Sequence, residues 1–553
     1  MTARGWRLRR PVPGGLEPWQ GMARQWELPA PLARLAWMRG LETEDLAWRL
    51  DPSWERTFDP YLMPDMGKAV ARIQRAIAEG TPITIYGDYD VDGVTATALL
   101  VRVLEKVGAQ VDFFIPNRFN DGYGLHLDCI QELASRGPRL LLSVDCGIRS
   151  VSEVAASTEL GLDWIITDHH ALGPELPAAV ALLHPQLGDY PNPHLPGVGV
   201  AFKLAQALLD VVPYPKGEQP FLDGLLKLVA LGCIADVVPL VGENALLVVR
   251  GLRALGGANG PGIAALFQAA KISGIPQAQA LAFGPIPRLN AVGRMGGAED
   301  AVRLLLTRDA AEAQALAAKV EQLNLERRAV QADLDARLPE PEALALDLVV
   351  DPEAHKGVVG IVAASRMRRT GLPTLVCTVI DGVAHGSMRA PEGYDCCAML
   401  EAARPYLVSG GGHRAAAGVA FERKHLPFVK RAMAQEAARQ AEGLDSLDRS
   451  LALDGEGWQW MPSAADLARL EPFGQKFPEP KVLLEGRIER LAAFGQGHLR
   501  LNVSGVAQEV VWFGGAAEAR VSQGDQVALA VSPQDHPRFG RSWRLDTLLE
   551  VGS

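Results

Sequence analysis

No two of the six cysteines in this 553-residue chain form a C-x-x-C pair. That absence excludes a zinc ribbon. The scattered thiols (Cys129, Cys146, Cys233, Cys377, Cys396 and Cys397) do not make a disulfide framework either, so reduced, mostly buried thiols are expected. No run approaches the ~20 apolar residues of a membrane span. Behind Arg4, Arg7, Arg9 and Arg10 stand Pro11, Pro13, Gly14 and Gly15, where a secretory signal would carry its apolar core. A cytoplasmic protein is the expectation. Basic residues are not in excess: the net charge of −10 excludes a chain coated in positive surface. It leaves room for a locally basic groove, because cations bound among acids offset part of that count.

What is present is ample core. The hydrophobic fraction is 48%, and at ~150 residues per domain the length predicts three or four domains. The most informative stretch is PITIYGDYDVDGVTATALL, Pro82 to Leu100. Ile83 to Tyr86 form a short β-branched and aromatic strand, broken by Gly87. Asp88, Asp90 and Asp92 then alternate, Gly93 follows, and from Val94 the apolar spacing turns helical until Gly108. An EF-hand opens with the same D-x-D-x-D-G spacing but needs an acid at the twelfth loop position, which here is Leu99. A helix N-cap explains one Asp, not three. A divalent-metal site accounts for all three, since packed carboxylates resist ionising unless a cation sits among them.

Further along, strands and helices alternate, and the strands end in metal-ligating residue types. Arg139 to Val144 is a continuous apolar run of the kind covered on both faces, ending in Asp145. Trp164 to Thr167 ends in Asp168, His169 and His170. Val180 to Leu183 leads to His184. The alternation predicts a parallel, doubly wound sheet with ligands at the carboxyl ends of its strands. Singly, each acid is as well read as a helix cap, and each histidine as surface polarity. Their convergence on one edge favours a site. Asp168 and His170 would orient a ligand or face the transition state. An apolar helix, Phe221 to Ala235, runs into Asp236, an acid that must be paired or metal-bound to stay charged beside so much apolar surface.

Three loops are candidates for phosphate contact. PNRFNDGYG carries Arg118, and PRLNAVGRMG (Pro287 to Gly296) carries Arg288 and Asn290 amid glycine. SGGGHRAAAG offers Gly411, Gly412, His413 and Arg414, either as a phosphate cradle or as a glycine turn into a small-residue helix. GSMRA sets Ser387 and Arg389 on alternate positions of a strand end, a bidentate clamp for phosphate. A long charged helix, Ala310 to Leu338, reads as a connector. The last hundred residues hold about five short strands, the count of a Greek-key barrel of the oligonucleotide-binding kind. There Trp512, Phe513, Arg500, Arg541, Trp543 and Arg544 mix stacking faces with cations, although aromatics in small barrels are commonly core.

GDYDVDG, SVDCG, TDHH, ADVVP and the distal GGGHRAAAG together resemble the DHH phosphoesterase family. With PRLNAVGRMG, GSMRA and a trailing barrel, the likeness is to its single-strand-specific DNA exonucleases, over nearly the whole chain from about residue 66. The resemblance implies an α/β chain in five parts: an N-terminal segment (1–65), a parallel, doubly wound catalytic domain (66–308), a connecting helix (309–340), a second α/β substrate-binding domain (341–442) and an oligonucleotide-binding-like β-barrel (443–553). It implies that Asp90, Asp92, Asp145, His169 and Asp236 ligate two divalent cations, Mn2+ or Mg2+, with Asp88 and His170 close by. Ser387 and Arg389, with Arg118, would hold a 5′ phosphate, while Arg288, Asn290 and the GGGHR residues track the strand.

The expected reaction is stepwise two-metal hydrolysis of single-stranded DNA from its 5′ end, in recombination and repair. A groove too narrow for a duplex would select the strand. A monomer is expected, and the resemblance suggests a single-strand-binding protein and a RecQ-type helicase as partners. Two rivals remain. A phosphodiesterase or pyrophosphatase for small substrates would need neither barrel nor connector, and a non-catalytic DNA-binding scaffold would have lost ligands that are intact here.

Overall fold

The computed structural model describes residues 6–9, 18–117, 124–212, 219–341, 345–444, 451–456, 461–495, 497–518, 521–536 and 540–552. The chain forms two compact units: Glu44–Arg328 with Arg469–Pro478, and the remainder. Near the amino end, β1 (Trp6–Leu8) belongs to the second of these.

The first unit is built on a five-stranded parallel sheet. Its strands are β2 (Ile83–Gly87), β3 (Val111–Phe114), β4 (Leu140–Val144), β5 (Asp163–Thr167) and β6 (Ala181–Leu183), in the order β3-β2-β4-β5-β6. Every residue of β2 and β4 is buried, as their unbroken apolar runs require of strands covered on both faces. Helices α1 (Met66–Glu79), α2 (Val91–Lys106), α3 (Leu127–Ser135) and α4 (Val151–Glu159) alternate with the strands. They are followed by α5 (Gly197–Val211), α6 (Gln219–Ala235), α7 (Gly242–Leu255), α8 (Pro285–Met295) and α9 (Ala310–Arg337). Helix α2 is buried along nearly its whole length against α5 and α6, which suits a helix apolar on all sides. The acids at its start are thereby fixed to the centre of the unit rather than to its surface.

In the second unit, β7 (Asp347–Val350), β8 (Thr374–Ile380), β9 (Val383–Arg389), β10 (Ser409–His413) and β11 (Ala416–Glu422) make a sheet ordered β10-β11-β9-β8-β7. Helix α10 (Val359–Thr370) packs on β8 and β9. A short strand, β12 (Leu451–Leu453), pairs in parallel with β1. Arg39 and Arg9 both reach the buried Asp454 carboxylate beside it, Arg39 at 2.9 and 3.0 Å. The amino-terminal residues are thus tied to the segment that leads into the barrel. That barrel comprises five strands, β14 (Val482–Phe494), β15 (His498–Val503), β16 (Val510–Trp512), β17 (Gln526–His536) and β18 (Gly540–Gly552), with the two-residue β13 (Gly455–Glu456) added beside β14. The order is β13-β14-β15-β16-β18-β17, and a β14–β17 pairing closes it. Among the described residues no helix is long and apolar enough to cross a membrane.

One buried polar cluster braces the first unit. Lys203 on α5 and Glu243 on α7 are both fully buried, with Nζ 2.6 Å from Oε1. Lys203 also donates to Phe58 O at 2.8 Å, and Glu243 accepts from Phe58 N at 3.0 Å and Tyr190 OH at 2.8 Å. Burial lowers the lysine pKa, and the Glu243 charge and hydrogen bond, with the charge of Asp59, oppose it. Replacing Glu243 by Ala strands that ammonium, so a loss of about 3–5 kcal/mol in urea unfolding is expected, the cost of breaking a buried pair.

Candidate active site

The acids come together at the carboxyl ends of β2, β4 and β5. Asp90 caps α2, accepting from Asp92 N at 2.9 Å and Gly93 N at 3.2 Å, so the N-cap reading and the ligand reading apply to one loop. Asp145 follows β4 in the left-handed region at φ +63°, its N–H bonded to Thr167 O at 2.9 Å. That conformation is uncommon for a residue with a Cβ and marks a position fixed by its surroundings. Its neighbour Gly197 opens α5. A Cβ there would lie 2.6 Å from the Asp145 Cβ and 2.7 Å from its Oδ1, so only glycine lets the helix come this close. The same helix end donates Gly197 N and Val198 N to the Asp92 carboxylate at 2.6 and 2.9 Å. The motifs of the sequence gave no hint of this helix. What marks it is the G-V-G at the start of an apolar run.

His169, just past β5, stands at the middle of the cluster. Its Nε2 lies 3.0 Å from Asp145 Oδ1, 3.7 Å from Asp236 Oδ2 and 3.8 Å from Asp92 Oδ2. Among the described residues, three donor sets have all their ligand atoms within 4.8 Å of one another: Asp145 with His169 and His170, Asp92 with His169 and Asp236, and Asp88 with Asp90 and Asp145. The structure therefore gathers every candidate ligand into one cluster, with Asp88 as central to it as Asp90. Asp168 stands behind, accepting from Ile148 N, His169 N and His170 N at 2.9, 2.7 and 3.1 Å and from His170 Nδ1 at 2.7 Å. The second histidine is thereby oriented by a carboxylate.

The electrostatics follow from this packing. Burial, then Asp90, raise the Asp92 pKa to about 7, against the opposing amides of α5. Burial, then Asp92 and Asp90, raise Asp236 to about 8. Asp145 is pushed well above the carboxylate range by burial and by Asp92, Asp90, Asp88 and Asp236. For Asp168 burial acts upward but is outweighed by His170 and the Ile148 amide, which leave it at about 2. Burial pulls His170 down, yet the Asp168 hydrogen bond and charge, with Asp88 and Asp236, carry it to about 9.

One expectation from the sequence needs correction here. PRLNAVGRMG is not a loop but α8, and Arg288 on it is held by an ion pair and by backbone carbonyls. All three of its guanidinium nitrogens are engaged: Nε and Nη2 by Glu321 of α9, Nη1 by Gly284 O at 2.8 Å, and Nη2 also by Ala269 O at 3.3 Å. The glycine content suggested an open loop, but Pro285 and Pro287 are compatible with a first helical turn. Asn290 instead braces the acidic loop, its Oδ1 accepting from Val91 N at 3.3 Å. Arg118 lies outside the described residues.

In the second unit Ser387 and Arg389 sit on β9 as the alternation predicts, with Arg389 Nη1 2.7 Å from Ser387 Oγ. The first turn of α10 lies against them. A Cβ on Gly360 would come within 3.0 Å of Ser387 Oγ and 3.2 Å of Arg389 Nη2. A helix start, a hydroxyl and a guanidinium thus share one spot suited to phosphate. SGGGHRAAAG forms neither a cradle loop nor a helix but the β10–β11 hairpin. Gly411, Gly412, His413 and Arg414 are exposed on or beside its edge strand. In the barrel, Trp543 and Trp512 are core, and Arg544 is paired with Glu479 and Asp546. Arg541 donates to Pro462 O at 2.7 Å. Of the aromatic set Phe513 is half-exposed, and Arg500 stacks 4.5 Å from the Phe494 ring centre.

Comparison with known proteins supplies the family. Residues 82–233 match the family model described as the DHH family, N-terminal domain, and residues 461–542 match the RecJ OB domain. The chain is 38% identical over 500 residues to the single-stranded-DNA-specific exonuclease RecJ of Bacillus subtilis, covering 87% of this chain and 62% of that protein. The crystal structure of Thermus thermophilus RecJ in complex with Mn2+ is 31% identical, with a TM-score of 0.83 over 99% of this chain and 79% of that one. The chain belongs to the RecJ family. The Thermus RecJ complex with Mg2+ is likewise similar, at 30% identity and a TM-score of 0.76 over 99% of this chain and 78% of that one. Against this RecJ fold the α/β architecture with a closing five-stranded barrel is as the sequence predicts.

The donor set of this RecJ chain fits hard or borderline divalent cations. Its carboxylate oxygens suit Mg2+ and Mn2+, and its imidazole tilts the balance to Mn2+. The raised carboxylates also set a pH dependence for the metal-free protein. Groups whose folded pKa exceeds the unfolded value stabilise below that unfolded value and lose the contribution as pH rises through the folded one. Asp92 at about 7, Asp236 at about 8 and His170 at about 9 all act in this direction. The chelated protein is therefore expected to melt at a lower temperature at pH 8.5 than at pH 6. Mn2+ should narrow the difference, and paired thermal melts with and without the ion measure it.

Proposed function

We propose that this chain is a metal-dependent 5′-to-3′ exonuclease that hydrolyses single-stranded DNA by two-metal phosphodiester cleavage, acting in recombination and repair. The observation that carries the reading is the meeting of Asp88, Asp90, Asp92, Asp145, His169 and Asp236, drawn from four separate segments, in one cluster. Asp90, Asp92, Asp145, His169 and Asp236 hold two divalent cations, with Asp88 beside them. When bound, such a pair activates water and stabilises the departing oxygen of a phosphodiester. His170, oriented by Asp168 at its Nδ1 and with its pKa carried to about 9, is a protonated imidazole that steadies the charge building on the phosphoryl oxygens.

Substrate choice falls to residues outside the metal centre. Ser387 and Arg389, together with the first turn of α10, bind the terminal 5′ phosphate. The exposed backbone of Gly411 and Gly412, with His413 and Arg414, follows the strand. Fixing the end in this way converts a general phosphodiesterase into one that removes residues from a terminus. Its barrel adds affinity for unpaired bases through exposed rings and cations.

An end-labelled, 5′-phosphorylated oligonucleotide incubated with Mn2+ tests the reading. Stepwise digestion of the single strand is expected, with a blunt duplex left intact. Equal cutting of the duplex, or preference for a dinucleotide, would refute it. Asp145→Ala is expected to abolish cleavage while leaving strand binding largely intact. Loss of binding together with cleavage would instead make the acid structural.

A further inference from the structure

Asp236 differs from the other acids in its support. It follows the end of α6, where its N–H donates to Gly232 O at 2.9 Å and the next N–H reaches Ile234 O at 3.4 Å. That next residue, Val237, has φ +57° and a side chain 63% exposed. A β-branched residue persists in the left-handed region only where its surroundings over-determine the backbone. Since the Val237 side chain is largely in solvent, the restraint comes from the chain beyond it. Leu240 is held through both backbone groups: its N–H donates to Gln475 O at 3.0 Å, and its carbonyl accepts from Arg49 Nη2 at 2.5 Å. Asn244 Nδ2 adds a bond to Pro239 O at 3.1 Å.

Arg49 is 2% exposed and serves three carbonyls. Besides Leu240 O, its Nη1 reaches Leu470 O and Pro472 O, each at 2.9 Å. Its guanidinium carbon stands 3.6 Å from the centre of the Phe477 ring. Gly474 and Phe477 exchange backbone hydrogen bonds at 2.8 and 3.1 Å, folding this stretch into a tight hairpin. A planar fork that stacks on a ring while serving divergent carbonyls is a task for arginine rather than lysine. One buried side chain therefore joins the hairpin to the loop that ends α6.

We propose that Arg49 and the hairpin 470–477 are positioning residues for Asp236, setting how tightly the metal centre holds its cations. The proposal rests on the metal reading given above. The hairpin comes just before β14, so the chain entering the barrel also braces a ligand loop of the catalytic unit.

The test compares the full chain with Arg49→Gln and Gly474→Val. Gly474 is exposed, and a Cβ there would lie 2.6 Å from Leu240 Cδ1, so valine wedges the hairpin off the loop without emptying the core. Mn2+ binding is read by calorimetry and by the spin resonance of the ion, melting in chelator by circular dichroism, and strand hydrolysis across a Mn2+ titration. Both variants are expected to bind Mn2+ about tenfold more weakly, the loss typical of removing a ligand's support. Excess Mn2+ should restore hydrolysis, and Gly474→Val should melt like the parent. If the parent binds Mn2+ and both folded variants match its affinity, the hairpin is only structural and the proposal falls. A parent that binds no Mn2+ takes down the metal reading and this inference together.

Discussion

Carboxylates buried beside one another repel, and in water they would separate or take up protons. Here separation is closed to them, which leaves proton uptake or a cation. Asp90 is locked into the cap of α2, Asp92 is held by the amides of α5, and Asp145 is pinned by the β4–β5 ladder. The fold spends backbone hydrogen bonds to keep like charges close, and a cation is the partner that turns this repulsion into attraction. Much of the first unit is arranged to that end. Helix α2 is buried along nearly its whole length, Gly197 allows α5 to press on Asp145, and Asn290 of α8 braces the entry to α2.

The parallel sheet and its ligand edge were legible because the signals are local. Unbroken apolar runs ending in Asp or His fix both a strand and the rim at which it stops. The barrel was legible from strand count and spacing. The acidic loop was legible as a ligand group from its alternation, though not the degree to which Asp88 shares in it, since Asp88 and Asp145 meet only through packing.

What stayed hidden depends on distant partners. PRLNAVGRMG has the composition of a phosphate loop, yet Glu321, thirty-three residues away, claims Arg288 and leaves the segment helical. SGGGHRAAAG looks like a turn into a helix, but strand β9 offers its neighbour an edge to pair with, and a hairpin results. Trp512 and Trp543 could be weighed as platform or core from sequence, and burial places both in the core. Arg49 carries no motif at all, since its role is defined by three carbonyls far along the chain.

The ligands are spread from Asp88 to Asp236, and the set formed by Asp92, His169 and Asp236 is completed only by the acid that follows α6. A ribosome that has not yet delivered Asp236 has therefore made an incomplete metal centre, whatever local structure the nascent chain has gained. The full donor set arrives only with the folded unit, and a fragment that ends before Asp236 lacks one member of the cluster.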